Sequence, residues 1–245
     1  MPEPATSPMK SRKRRRAVRA VVLLSGGLDS ATVLAIAKKE GRDCFCLTFD
    51  YGQRHQREIE AAKALAQWAD TPHEILAFQL PWKGSALLDQ AIHLPKDRSV
   101  ETMSGEIPST YVPARNTIFL SFAASWAEVL GAPFIYFGAN AIDYSGYPDC
   151  RQGYLLAFQR LLALGTKSGA SGKAPQILTP LVDKTKTEIV RWGLRLGVPY
   201  ELTWSCYEGK DVPCQRCDSC LLRARAFQEI GIDDPLFKRI HLSTR

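Results

Sequence analysis

Two groups of residues in this sequence have types and spacings suited to chemistry. The first is Ser25-Gly26-Gly27-Leu28-Asp29-Ser30. Two adjacent glycines let the backbone take positive φ and approach a ligand closely. Ser25 and Ser30 add hydroxyl donors, and Asp29 adds a carboxylate able to hold Mg²⁺ against phosphate oxygens. A helix beginning there would offer its unpaired N–H groups and dipole to an anion. The second group is Cys206-x7-Cys214-x2-Cys217-x2-Cys220, four of the seven cysteines packed into fifteen residues. In a cytosolic chain that crowding speaks for metal before disulfide. Four thiolates suit tetrahedral Zn²⁺ at about 2.3 Å and leave no coordination position open, so one structural zinc ion is expected. Cys150 lies far off in sequence and is read as packing.

The elements that must position these groups follow from the apolar pattern. Residues 20–24 are a short β-branched run and read as a buried strand. A helix to about Lys39, capped by Asp29 or Ser30, follows, with Gly41 just past its end. Residues 45–49 and 73–78 read as the next strands, with a helix over 53–68 between them. Cys44 and Cys46 share one strand face and are taken as core. This alternation predicts a parallel sheet with right-handed crossovers. Residues 80–112 contain Pro81, Gly84, Pro95, Gly105 and Pro108, and a loop that long is read as a lid over substrate. Pro113 suits the first turn of a helix to about Leu130. Further elements are a strand at 134–137, a polar and aromatic loop at 139–150, a helix over 151–164, a linker at 167–174, and a strand at Ile177 and Leu178. Thr185 and Glu188 form a T-x-x-E capping box opening a helix to Leu196.

Composition narrows the class. The chain has 245 residues, 45% hydrophobic and 23% charged, enough for one large domain or a domain plus a small appendage. The net charge of +7 hints at nucleic acid, but seven cations against Glu3 in the first 19 residues account for six of those charges. The body is nearly neutral. The basic leader reads as a solvated tail or as an arm touching RNA or membrane. The apolar run at 21–24 is too short for an export signal, and no run nears the roughly 20 apolar residues of a membrane helix. A cytoplasmic protein is expected.

The glycine loop lacks the Gly-Lys-Ser/Thr of a Walker A motif and the third glycine of a dinucleotide fingerprint. It resembles instead the SGGxDS pyrophosphate-binding loop of the N-type ATP pyrophosphatases. That resemblance implies that Leu24, Ser25, Gly26, Gly27, Leu28, Asp29, Ser30, Ala31, Thr32, Val33 and Leu34 line an ATP site, with Mg²⁺ accompanying the nucleotide. More segments extend it: Tyr51-Gly52-Gln53-Arg54-His55, Tyr111-Val112-Pro113-Ala114-Arg115-Asn116, Gly138-Ala139-Asn140, Asp143-Tyr144-Ser145-Gly146-Tyr147-Pro148-Asp149-Cys150-Arg151, and Thr179-Pro180-Leu181 before Lys184, Lys186 and Glu188. Their order from about residue 20 to 235 is similar to that of the 7-cyano-7-deazaguanine synthases of queuosine biosynthesis. The basic leader falls outside the pattern. The resemblance implies a Rossmann-like, adenine nucleotide alpha hydrolase-like sheet with helices on both faces. It divides the chain into a leader (1–19), an ATP pyrophosphatase domain (20–180) and a C-terminal helical zinc-binding region (181–245).

It also implies a reaction. 7-Carboxy-7-deazaguanine and ammonia give the 7-nitrile, with ATP spent twice and AMP and pyrophosphate released, in a homodimer. The chain carries no Cys-His glutaminase signature, so free ammonia is the expected nitrogen source. Asp29, Arg115, Lys184 and Lys186 are the catalytic candidates. Arg115 and Asn116 could meet phosphate or the substrate carboxylate, or Arg115 could be a surface cation. Lys184 and Lys186 could neutralise charge during adenylation, or sit solvated at a helix start. Asp143 or Asp149 could read a guanine-like edge and Tyr144 and Tyr147 stack on the ring; an Asx turn with ordinary aromatics competes. Tyr51, Gln53, Arg54, His55 and Arg151 complete the substrate-side candidates, and Asp50 could meet a ribose hydroxyl. His55 is equally well a satisfied structural histidine. The rival readings are another N-type pyrophosphatase, such as a tRNA thiolase or lysidine synthetase, and a zinc-knuckle nucleic-acid-binding protein.

Overall fold

A computed structural model describes residues 17–140 and 146–243. Most of the basic leader, and the candidates Asp143 and Tyr144, lie outside those residues. Arg19, grouped above with the leader, belongs to the sheet: it opens the first strand, and its guanidinium donates to the Leu130 carbonyl at 2.6 Å.

The elements run β1 (Arg19–Leu23), α1 (Leu28–Lys39), β2 (Asp43–Asp50), α2 (Arg57–Trp68), β3 (His73–Ala77), α3 (Val100–Gly105), α4 (Arg115–Leu130), β4 (Phe134–Tyr136), α5 (Gln152–Gly165), α6 (Lys167–Ala170), β5 (Gln176–Leu178), α7 (Lys186–Arg195), α8 (Asp218–Glu229) and α9 (Pro235–Ser243). The strands form one parallel sheet in the order β3-β2-β1-β4-β5. Successive strand residues face opposite sides, which splits the core in two. Ala20, Val22, Cys44, Cys46 and Tyr136 pack with α1, α2, α7 and α8 on one side. Val21, Leu23, Leu47, Phe49 and Ile135 pack with α4 and α5 on the other. The expected α/β sheet with helices on both faces is therefore present. Burial pushes the Cys44 thiol up to about 12 and that of Cys46 up to about 11, in keeping with inert core residues.

Several boundaries differ from expectation, each for a local reason. Neither Asp29 nor Ser30 caps α1; Gly27 stands at the N-cap, and the Ser30 hydroxyl turns back to the Gly27 carbonyl at 3.1 Å. Helix α2 starts at Arg57 rather than 53. Gln53 instead folds its amide onto the chain leaving β2, donating to the Phe49 carbonyl at 3.1 Å and accepting from the Tyr51 N–H at 2.8 Å. Helix α4 starts after Pro113, because Ala114 takes a left-handed conformation (φ +54). The capping box of α7 forms as expected, with both halves of the Thr185–Glu188 exchange in place. The 80–112 stretch is largely irregular but is pinned on the cysteine segment. The Asp97 N–H donates to the Arg216 carbonyl at 2.8 Å, and Arg98 Nε donates to the fully buried Asp218 carboxylate at 3.1 Å. No helix among the described residues is long and apolar enough to cross a membrane.

Of the two loop glycines, Gly26 is the one the backbone requires. Its φ is +88, and a Cβ there would lie 2.1 Å from the Glu58 carbonyl oxygen and 2.9 Å from the Ala62 nitrogen of α2. Its own carbonyl accepts the Trp204 N–H at 2.9 Å. Gly27 is extended and has room for a methyl group. Gly26→Ala is expected to cost about 2–4 kcal/mol of stability, because strain and overpacking coincide. Gly27→Ala is expected to cost less. Urea denaturation midpoints of the two variants check the contrast.

Candidate functional site

A cleft of about 280 Å³ opens at the carboxyl ends of β1, β2 and β4. Its walls include Leu23 and Leu24 from the end of β1, Phe49 and Tyr51 from the end of β2, and Phe137, Gly138 and Asn140 after β4. Strands β1 and β4 are neighbours whose connections depart in opposite directions, the place where open α/β sheets bind ligands.

The glycine loop forms one rim, between β1 and the N-terminus of α1. Leu24, Ser25, Gly27, Leu28, Asp29 and Ser30 line the cleft. The Ser25 and Ser30 hydroxyls lie 3.1 Å apart, and Ser25 Oγ accepts the Gly27 N–H at 3.4 Å, so the turn is held by its own side chains. Gly26 faces α2 instead of the cleft. Ala31, Thr32, Val33 and Leu34 are buried and turned into the core, because nearly every face of α1 is covered. Thr32 bonds the Tyr200 hydroxyl at 2.8 Å. These five stand behind the cleft surface and support the residues that line it.

Two elements distant in sequence bring charge to the rim. Lys186, at the start of α7, places its ammonium 2.7 and 2.8 Å from the two Asp29 oxygens. Lys184 does not join it; its ammonium pairs with Asp183 at 3.0 Å, outside the cleft lining. The α4 start supplies Arg115 and Asn116. Burial works against the charge of Arg115, but the nearby Tyr51, Tyr147 and Asp149 hold its pKa above the ordinary guanidinium value. Its Nε finds no partner among the described residues. Asp149 is buried and accepts the Asn116 N–H at 3.1 Å through one oxygen, while its other oxygen has no partner among the described residues. Tyr147 lines the cleft, bonds Thr110 through its hydroxyl at 3.0 Å, and lies 5.9 Å from the Tyr111 ring. Burial pushes the Tyr51 hydroxyl up to about 12, so it stays a neutral donor.

The remaining candidates divide. His55 lines the cleft, with Nε2 3.0 Å from Glu58. Gln53 does not; it is buried as the brace described above. Arg54 turns the other way and donates to the carbonyls of Asp89 and Ile92 at 2.9 and 3.3 Å. Arg151 is exposed at the N-cap of α5, away from the lining. Asp50 accepts the Gly52 N–H at 3.4 Å and stays outside the cleft. None of the lining residues comes from 80–112; that stretch is tied to the cysteine segment and, through Thr110, to Tyr147 at the cleft.

Sequence reasoning missed the aromatic wall and the C-terminal rim. Phe49 and Phe119 stack at 4.0 Å, with Tyr51 5.4 Å from Phe119. The signal was available: Phe119 lies one helical turn after Arg115, whose guanidinium sits 5.8 Å from its ring. Trp204, Ser205, Tyr207 and Arg223 also face the cleft. Arg223 pairs with Asp234 at 2.6 and 2.7 Å and donates to Thr203 Oγ1 and the Tyr200 carbonyl. The bonds to Thr203 and Tyr200 tie α8 to the segment carrying Trp204. Cys150 packs at the cleft edge, its thiol accepting from Asn116 Nδ2 at 3.3 Å and pushed up to about 12 by burial.

The four cysteines converge beside this rim, with their sulfurs all within 4.8 Å of one another. The Cys214 and Cys217 N–H groups donate to the sulfurs of Cys206 and Cys214 at 3.2 and 3.3 Å, bonds that support thiolates. Hydrogen bonds from the Cys217 and Cys220 thiols hold Cys206 well below the ordinary thiol range, and those two thiols are pushed up in return. Four sulfurs this close together, two of them accepting backbone N–H groups, are a donor set that one tetrahedral metal ion fits.

The family model described as Queuosine biosynthesis protein QueC matches residues 19–231. The chain belongs to the QueC family. Among QueC relatives, the 7-cyano-7-deazaguanine synthase of Trichodesmium erythraeum (strain IMS101) is 56% identical over 221 residues, covering 89% of this chain and 100% of that protein. The 7-cyano-7-deazaguanine synthase of Thermosynechococcus vestitus (strain NIES-2133 / IAM M-273 / BP-1) is 56% identical over 225 residues, covering 91% and 97%. A solved structure of NMN synthetase from Francisella tularensis aligns at 15% identity with a TM-score of 0.47, covering 92% of this chain and 82% of that one. The QueC match spans both the glycine loop and the four cysteines.

One metal ion per chain is expected at the four sulfurs, and elemental analysis of the purified protein checks it. Cys217→Ala is expected to lose the ion and lower the unfolding midpoint, since binding energy of this kind is folding energy.

Proposed function

We propose that this chain converts 7-carboxy-7-deazaguanine and ammonia to 7-cyano-7-deazaguanine, using ATP twice and releasing AMP and pyrophosphate. The names of its relatives support 7-cyano-7-deazaguanine as the product. The observation that carries the mechanism is that the Ser25–Ser30 rim, the Asp29–Lys186 pair and Arg115 open into one cleft with an aromatic wall. Phosphates and a planar acid can therefore meet in a single enclosure.

A carboxylate oxygen is a poor leaving group. Its attack on the α-phosphorus of ATP breaks the bond to pyrophosphate and makes AMP the leaving group. The N–H groups at the start of α1 and the Ser25 and Ser30 hydroxyls take the departing pyrophosphate. Mg²⁺ bound with ATP would be held by Asp29 and would screen the phosphate charge. Lys186, already aimed at the rim, stabilises charge as it develops. Ammonia then displaces AMP from the acyl carbon, leaving an amide. The amide oxygen attacks a second ATP in the same way, and loss of AMP leaves the nitrile. Arg115, with Asn116 beside it, holds the acid, Asp149 braces the Asn116 backbone from behind the lining residues, and Tyr51 and Tyr147 border the ring. The ion at the cysteines is proposed to be Zn²⁺, fully coordinated by protein, serving to tie the Trp204–Tyr207 rim to α8.

Asp29→Ala is expected to lower AMP release about 10²–10³-fold while the circular dichroism spectrum is unchanged. The assay contains MgATP, ammonium and the deazaguanine acid, with the nitrile followed by mass spectrometry. Turnover by this variant at the parent rate contradicts the assignment.

A further inference from the structure

We propose that His55 is the base that removes protons from nitrogen in this reaction and that Glu58 is its positioning residue. The inference rests on the reaction proposed above. That reaction has a proton balance that adenylation alone does not meet. When ammonia forms the C–N bond and the C–O bond to AMP breaks, nitrogen must lose one proton to leave a neutral amide. When the amide oxygen carries the second AMP, the C–O bond breaks as the C≡N bond completes, and nitrogen loses both remaining protons. Some group in the cleft must accept these protons one at a time and pass them to water.

The charged groups on the glycine rim and at the α4 start are otherwise engaged. Asp29 is paired with Lys186 at 2.7 Å, Asp149 already accepts the Asn116 N–H, and Arg115 and Lys186 are cations. His55 is 4% exposed and lines the same cleft. Its Nε2 lies 3.0 Å from one Glu58 oxygen, and the other Glu58 oxygen accepts from Gln53 Nε2 at 3.1 Å. Gln53 is anchored in turn on the backbone of Phe49 and Tyr51. A carboxylate 3.0 Å from Nε2 favours the tautomer with the ring proton there and the lone pair on Nδ1. That Nδ1 is buried and has no partner among the described residues. Tyr207 packs edge-on at 5.7 Å between ring centres and holds the ring orientation. A buried ring nitrogen with a fixed lone pair and no partner is a place kept for a proton that arrives with substrate.

The test separates adenylation from nitrogen chemistry. ATP–pyrophosphate exchange driven by the acid without ammonium reads the first adenylation; nitrile formation with ammonium chloride reads the whole sequence. In His55→Gln, nitrile formation is expected to fall about 10²–10⁴-fold while exchange stays within about threefold of the parent. In Glu58→Gln a smaller loss with the same split is expected. Nitrile formation at the parent rate in His55→Gln, or a parallel fall of exchange and nitrile, overturns the role. If His55→Gln fails to fold by circular dichroism, Glu58→Gln decides: the split supports the role, and no change in nitrile formation overturns it. Absence of exchange in the unaltered chain removes the proposed reaction, and this role with it.

Discussion

The cleft depends on one close approach. At Gly26 the chain leaving β1 passes so near the first turn of α2 that no side chain fits between them, and on its other side the Gly26 carbonyl takes the Trp204 N–H. Three segments widely separated in sequence are thereby held at one point: the glycine loop, the start of α2 with Glu58, and the cysteine-bearing segment with Trp204 and Tyr207. Remove that contact and the cleft has a sheet edge but no opposite rim. The four cysteines act at the same place, since they fix the 206–220 segment whose neighbour Trp204 makes the bond. A metal ion held by the four sulfurs would therefore brace the glycine loop through two short links.

The charges at the cleft are compensated from within the chain. Asp29 and Lys186 satisfy each other across 157 residues of chain, so neither stands uncompensated in the absence of phosphate. Arg115 is treated differently. It keeps its charge inside an aromatic surround because Tyr51, Tyr147 and Asp149 stabilise it, yet its Nε finds no partner among the described residues. In the proposed reaction, the group left short of a partner marks the side where the acid binds.

Much of this was legible in the sequence where a local signal sufficed. The cysteine spacing and the Thr185–Glu188 box each carry their geometry in a few consecutive residues, and the sulfurs converge and the box closes accordingly; the glycine loop does join β1 to α1, but with Gly27 rather than Asp29 or Ser30 at the cap. Strand alternation placed Cys44 and Cys46 in the core for the same reason. What failed was the direction of side chains set by tertiary contacts. Tyr51, Gln53, Arg54 and His55 are neighbours in one short motif, yet Tyr51 and His55 line the cleft, Gln53 braces the turn, and Arg54 binds carbonyls on the far side. Lys184 and Lys186 part in the same way, because the helix start at Lys186 turns only one of them inward. The 80–112 stretch carried no pattern at all, and its place on the cysteine segment follows from ion pairs across more than a hundred residues.

The central claim is that one pyrophosphate-gripping rim activates oxygen twice, first on the acid and then on the amide. Labelling both carboxylate oxygens of 7-carboxy-7-deazaguanine with ¹⁸O tests it most directly. The account predicts that each labelled oxygen leaves on the phosphate of an AMP molecule, one from each half of the reaction, with no label in pyrophosphate. Label appearing in water or inorganic phosphate, or ADP as the nucleotide product, would contradict it.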